Sequence, residues 1–493
     1  MKKLLGVKNK LLPEQHEQKQ EEPRDLINNP ITLQEIQKEF ENCSDIKHYS
    51  MASLQIDFLY FKSLISKDIF EREILNPLNH NLEPSELFTS QQFEIGKSAE
   101  RVVEGILDGN VAIFYNQQIF LLDAYEPKNR AIEQTETEST ITGAHDAFIE
   151  GLEPNLSLIR KRVKSSKLKI IKLRAGEVTK TDLVILYIED IANEVFVNTL
   201  KERISAIEID AIYDTDMFVQ LIDEHPNSIF PQFNTTERPD VVVNQLVNGK
   251  VVGLVDNSPT AFIAPTNFFE FFDSPDDKNQ RWAIGTATKL LRYLSIVITI
   301  TFTAFYVAVT TYHYEMIPET LLLSLAESRH RVPFPPLLEA LIMEITIELL
   351  REAGARLPTK IGQTIGIVGG IVIGQAAVQA GLVSNTLIIA VAISAIASFV
   401  LPSYMLSASI RIARFGLIIL AGALGNFGLL IGIIFILLHL VKVTSLQMSY
   451  LTPVAPIEAS DLKTAIIRAP YWADKERTSE AVPKNKIKTK FRK

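Results

Sequence analysis

Three stretches without a single aspartate, glutamate, lysine or arginine dominate this 493-residue chain: 293–314, 361–410 and 415–441. About 20 mostly apolar residues suffice to cross the hydrocarbon of a bilayer, where only helices and closed barrels satisfy their own backbone. The chain therefore reads as an integral membrane protein, all-α and multi-pass beyond residue 280. Its charge divides at the same place. Residues 281–493 carry 21 basic and 12 acidic side chains, which against an overall −8 leaves −17 on the first 280. Cys43 is the sole cysteine, so no disulfide framework exists and a reducing cytoplasm suits the soluble part. Residues 1–25 are polar and lack an apolar h-region, which argues against a cleaved signal peptide and keeps the first 280 residues on the side of synthesis.

The soluble half repeats itself. Leu59-Tyr60-Phe61 ends an apolar run before a helix-like stretch, as Leu186-Tyr187-Ile188 does later. Leu107-Asp108-Gly109-Asn110-Val111 closes a helix and opens a strand, and Val247-Asn248-Gly249-Lys250-Val251 does the same. Both glycines stand where a helix must stop, a position that favours the left-handed conformation. The reading is a flexible polar leader over 1–46 and two repeated α/β lobes, 47–160 and 161–280. A duplicated pair either forms a sensing cleft or merely builds a larger domain, and fold alone does not decide function. The basic run Arg160, Lys161, Arg162, Lys164, Lys167 and Lys169 reads as a solvated face, and no aromatic residue interleaves it as nucleic-acid binding would want.

No chemistry-bearing constellation emerges. A phosphate-binding glycine loop, a His-Glu-x-x-His pair and a Gly-x-Ser-x-Gly elbow are all missing from the sequence. His145 and His225 stand apart, whereas a metal needs three or four converging ligands. The expectation is a protein that is not an enzyme and binds neither cofactor, metal nor nucleic acid.

The membrane domain, 281–450, is expected to cross at about 290–312, 361–383, 386–410 and 415–441, with re-entrant or amphipathic helices at 319–328 and 337–353. A basic tail, 451–493, follows. The 337–353 helix carries Glu339, Glu344 and Glu348, which cost about 2.5–3 kcal/mol apiece at a bilayer centre. It is therefore expected to lie at the interface, or to turn its acidic face to water as the wall of an ion pathway. Arg411 and Arg414 are expected to separate the last two crossings. Four crossings leave the tail beside the soluble domain; a fifth, by 337–353, would move it across.

Several runs resemble one family. They include Glu327-Ser328-Arg329, Val332-Pro333-Phe334-Pro335, Leu338-Glu339-Ala340-Leu341, Leu350-Arg351-Glu352-Ala353-Gly354, Ile373-Gly374-Gln375-Ala376-Ala377-Val378 and Tyr450-Leu451-Thr452-Pro453. With Thr236-Glu237-Arg238-Pro239-Asp240 and Phe268-Phe269-Glu270-Phe271-Phe272 upstream, the likeness to the A subunit of GerA-type spore germinant receptors covers roughly 45–455. The resemblance implies a nutrient receptor in the spore inner membrane, with its N-terminal domain cytoplasmic. It also implies a transporter-like B subunit and a lipoprotein C subunit as partners.

The span 361–383 has two unlike faces. Gly362, Gly366, Gly370 and Gly374 form a small-residue ladder that admits a neighbouring helix. Roughly opposite lie Thr364, Val368, Ile371, Gln375 and Gln379, polar groups that are costly against lipid. That face either lines a pore, with Val368 or Ile371 as an apolar constriction, or hydrogen-bonds to neighbouring helices as structural glue. The leading expectation is a homo-oligomeric, ligand-gated cation channel. The alternatives are a non-conducting scaffold that relays the signal, and an ion-coupled secondary transporter.

Overall fold

Strand β7 (Thr181–Ile188) shows why the soluble half folds as layered α/β. Leu183, Ile185 and Tyr187 face one buried cluster, while Val184, Leu186 and Ile188 face another. Period-two side chains buried on both sides require helices on both faces. The computed structural model describes residues 31–80, 82–126, 135, 138, 140–357, 369–370 and 372–488. In the first lobe, β1 (Ile46–Met51), β2 (Ile56–Phe61), β3 (Phe93–Ile95), β4 (Asn110–Tyr115) and β5 (Gln118–Asp123) pair antiparallel in the order β1-β2-β4-β5-β3. In the second, β6 (Leu168–Ala175), β7, β8 (Asn234–Thr236), β9 (Val251–Val255) and β10 (Ala261–Ala264) take the order β6-β7-β9-β10-β8. The two orders are the same, strand for strand. Gly109 and Gly249, with φ of 97° and 96°, stop the equivalent helices in the left-handed conformation expected of them.

Two features differ from the sequence reading. The flexible leader was placed over 1–46, but the chain is folded from residue 31, with α1 at Leu33–Glu39. Thr32 and Glu35 form a reciprocal capping box, and Ile36, Phe40 and Cys43 are buried. Three apolar residues in eight are too sparse to show a periodicity. The basic run is also not a solvated face throughout. Arg160, on α3 (Leu152–Arg162) after the first lobe's α2 (Ala99–Asp108), is fully buried. Its guanidinium donates to both carboxylate oxygens of Asp45 at 2.9 and 3.0 Å and lies 4.4 Å from the centre of the Phe61 ring. Ser44 N donates to Ile170 O at 2.8 Å, so the end of the leader and this arginine join the lobes.

The remaining helices of the second lobe, α4 (Glu194–Ser205), α5 (Thr215–Ile222) and α6 (Pro239–Val247), cover its sheet. The long α7 (Trp282–Tyr312) then leaves the domain. Lys289 pairs with Asp273 at 2.5 Å, and Tyr293 stacks on Phe272 at 4.7 Å where it departs. At its far end Tyr312 donates to Ala423 O. There α8 (Glu319–Arg329) lies, and α9 (Pro336–Arg356) runs back, from Leu337 against Gly422 to Arg351 at Ser398. A helical segment, α10 (372–379), and α11 (Asn385–Phe399) follow, and then α12 (Tyr404–Lys442).

Among the described residues two helices, α7 and α12, are long and apolar enough to cross a membrane. Of its 39 residues, α12 has a single non-helical one, Gly425, with φ 62° and ψ −145°. Only glycine tolerates that conformation cheaply. There the chain reverses: Leu417 and Leu420 of the first arm pack on Gly432 and Gly428 of the second, and Ser409 and His439 both return to the 228–230 loop. Arg411 and Arg414 thus lie inside the first arm, not between two crossings as the sequence reading had them. The tail docks beside the soluble domain, where α13 (Ala459–Ile466) meets α7 and Lys484 pairs with Glu194.

Replacement tests this hairpin. Gly425→Ala places a Cβ 2.8 Å from His313 Nε2 at a strained φ, and should cost about 1–3 kcal/mol. Gly416→Ala, with open space around it, should be neutral or stabilising by about 1 kcal/mol. Thermal melts of the detergent-solubilised protein read both, and equal effects would contradict the hairpin.

Candidate functional site

Four charges of α9 and α12 meet in the interior of the helical half. Glu344 and Glu348 stand one turn apart on α9, and Arg411 and Arg414 three residues apart on the first arm of α12. Arg414 Nη2 contacts Glu344 Oε2 at 2.6 Å and Glu348 Oε1 at 3.2 Å, and Nη1 donates to Ser394 Oγ at 3.1 Å. Glu344 Oε1 accepts from Thr303 Oγ1 of α7 at 2.8 Å. Glu348 Oε2 also accepts from Arg411 Nε at 3.2 Å. Arg351 donates to Ser398 Oγ at 2.8 Å and lies 4.3 Å from the Phe399 ring centre. Glu344 and Arg414 are both fully buried.

The structure pairs two carboxylates of the acidic helix inside the bundle, with Glu344 fully buried and Glu348 26% exposed. Glu339, also fully buried, accepts from Ser384 N at 3.0 Å and faces Arg329 at 3.5 Å. The reason is pairing. A glutamate is costly when it enters lipid alone, whereas here Arg329 faces Glu339, Arg414 faces Glu344 and Glu348, and Thr303 donates to Glu344. With Arg351 included, two carboxylates face three guanidiniums. The cluster therefore carries a surplus of positive charge. It binds α7, α9, α11 and α12 into one bundle. The signal was present in the sequence as the four-residue Glu spacing and the three-residue Arg spacing, both interrupting apolar runs.

Of the predicted pore face, Thr364, Val368 and Ile371 lie outside the described residues, as do Gly362 and Gly366. Gln375 and Gln379 are exposed on α10. A Cβ added at Gly370 or Gly374 would meet no atom within 4 Å. The neighbouring Gly369 lies against Leu350 of α9, and Ala377 and Val378 of α10 pack on the core of the bundle.

A second junction connects this bundle to the soluble half. Ser228 Oγ and His439 Nε2 are 2.9 Å apart, and Ser409 Oγ donates to Ile229 O. Phe230, Phe271 and Phe272 share one buried cluster with Leu406, Ile410, Leu440 and Tyr450. Glu224 accepts from Arg203, from Thr444 and, at 2.7 Å, from Gln447 N. Asp223, its neighbour, is pushed up to about 7 by burial. One loop of the second lobe therefore holds both arms of the hairpin. Sequence reasoning missed it because its members lie about 200 residues apart. Among the described residues no group of three or more His, Cys, Asp or Glu gathers as a metal site.

Removing one partner is the sharper test of the buried pair. Arg414→Leu strands Glu344 and should cost about 3–5 kcal/mol, while adding Glu344→Leu should return most of it. Denaturation of the solubilised variants measures this; a double variant no better than the single would contradict the pairing.

Comparison with known proteins adds the family. The profile described as Bacillus/Clostridium GerA spore germination protein matches residues 34–480. Spore germination protein GerQA of Bacillus cereus is 40% identical over 478 residues, covering 92% of this chain and 96% of that protein. Spore germination protein KA of Bacillus subtilis (strain 168) is 35% identical over 489 residues, 95% of this chain and 90% of its own length. Among solved structures, the N-terminal domain of the A subunit of the Bacillus megaterium spore germinant receptor GerK3 aligns over 48% of this chain and 94% of that domain, at 24% identity and a TM-score of 0.37. With a profile match spanning most of its length and relatives this similar end to end, the chain belongs to the GerA family of spore germination proteins.

Proposed function

We propose that this chain is the A subunit of a nutrient-germinant receptor of the spore inner membrane, and that copies of it assemble into a ligand-gated, cation-conducting channel. It acts with a transporter-like B subunit and a lipoprotein C subunit. The helical half crosses the membrane several times, with the two lobes and the docked tail on the cytoplasmic side. Nutrient binding at the receptor moves the lobes, and the 228–230 loop transmits that movement to the α12 hairpin.

The observation that carries the conducting step is the state of α10. Its Gln375 and Gln379 are exposed, and just before it no described atom lies within 4 Å of where a Cβ of Gly370 would sit. A polar amide row on an apolar helix calls for water or a partner, and an unfilled glycine ladder calls for a second helix. Several copies around an axis meet both needs, with glutamines inward and glycines against the next subunit. The conducting cations pass neutral amides and so avoid the surplus positive charge around Arg414.

Receptor complexes in liposomes test this. Val368→Ser, which wets the expected apolar constriction, should raise resting cation leak at least about tenfold without nutrient. Gly370→Leu should abolish the oligomer, as read by light scattering. A leak unchanged in the first variant, with oligomers intact in the second, would favour the non-conducting scaffold.

A further inference from the structure

The exposed side of α7 is apolar from one end to the other. Ile284, Leu291, Leu294, Phe302 and Phe305 share it, with Trp282 at its start and Tyr312 at its end. At about 1.5 Å per residue the 31-residue helix is about 46 Å long, which matches a bilayer with both headgroup layers, about 40–45 Å. With α7 crossing as proposed above, Trp282 to Lys289 stand at the depth of the cytoplasmic headgroups. Just beyond them, Arg292 lines one cavity with Phe399 and Tyr404, both exposed at the junction of α11 and α12. Aromatic side chains concentrate at that depth.

The tail is held against these same turns, on another side of the helix. Tyr293 Oη donates to Ala465 O at 2.8 Å, Lys289 Nζ to Thr464 O at 3.4 Å and Thr286 Oγ1 to Arg468 O at 3.4 Å. Further along, Tyr471 Oη donates to Lys278 O at 2.8 Å, and the neighbouring Asp277 accepts from Thr288 Oγ1 of α7 at 3.0 Å. Most of these bonds use main-chain carbonyls of the tail, so its apolar side chains are left outward. Ile466, Ile467, Tyr471 and Trp472 are all exposed, Trp472 by 65%. In water such a run would be an uncovered apolar strip, which soluble surfaces keep small. Here it stands beside the entry of α7, at the depth where the rings of Trp and Tyr rest between headgroups and acyl chains.

We propose that residues 466–472 seat in the phospholipid headgroup layer of the cytoplasmic leaflet, with Ile466 and Ile467 towards the acyl chains and Tyr471 and Trp472 among the headgroups. The tail also grips the second lobe, where Glu480 lies 3.8 Å from the buried Lys250 and Lys484 pairs with Glu194 at 2.6 Å. Seated in lipid, it fastens that lobe to the bilayer surface. The inference rests on α7 crossing the membrane and is independent of whether the chain conducts ions.

The chain has two tryptophans, Trp282 and Trp472, so each can be read alone. Trp282→Phe leaves Trp472 as the sole indole, and Trp472→Phe leaves Trp282. The full-length variants are placed in phosphatidylcholine nanodiscs, whose two faces are both open to solvent, with or without a nitroxide on the lipid headgroup. The nitroxide should quench Trp472 at least about twofold, as it does Trp282, whereas aqueous iodide should quench Trp472 about threefold less than free tryptophan. Should iodide quench Trp472 as it does free tryptophan, or should neither quencher reach it because protein covers it, the proposal is overturned while a quenched Trp282 keeps the crossing by α7. If Trp282 also ignored the nitroxide, the crossing itself would fail and the proposal with it.

Discussion

Glu344 and Arg414 face each other at 2.6 Å with no solvent exposure on either side chain, between helices whose outer surfaces are almost wholly apolar. Much of the helical half depends on this contact. It lets α9 bring Glu344 and Glu348 into the bundle at all. It also fixes the first arm of α12 against α7 through Thr303 and against α11 through Ser394. A buried pair of this kind adds little net stability over an apolar contact of equal volume, but losing one member is costly. Its effect is to specify one helix register.

That register has a consequence for how force passes through the molecule. The second lobe holds both ends of the α12 hairpin near residues 228–230, and the tail closes over the same region through α13. Soluble domain, hairpin and charge cluster therefore form a continuous packed path. By contrast, a Cβ added at Gly374 of α10 would meet no described atom within 4 Å, while Ala377 and Val378 of the same helix touch the bundle core. Helices α7, α9, α11 and α12 thus form one packed bundle, and in the proposed receptor α10 is the part that meets the next copy.

How much of this was legible in the sequence varied with the range of the interactions involved. The duplication was visible because each lobe repeats the same local sequence of helix, glycine and strand, and Gly109 and Gly249 mark the same turn twice. The path of the last helices was not, because hydropathy is blind to a reversal: residues 415–441 contain no charge, yet the chain turns at Gly425 within them. Arg411 and Arg414 resembled a boundary because charge in an apolar run usually marks one, and their partners lie more than 60 residues earlier on α9. Arg160 was misread for the same reason, its partner Asp45 being 115 residues away. The tail's docking depended on contacts with Val247, Glu194 and Tyr293 that no local pattern encodes.

The central claim is that α10 presents its glutamines to water in the assembled receptor. Cysteine accessibility tests it directly, because the native Cys43 is buried and leaves a quiet background. In liposome-embedded complexes, Gln375→Cys and Gln379→Cys should react with a charged, membrane-impermeant thiosulfonate, and faster when nutrient is present, while Ile389→Cys on the exposed surface of α11 should react only with a lipid-soluble maleimide. If both glutamine positions behaved like Ile389, reached solely from lipid or not at all, no hydrated path would run along this helix.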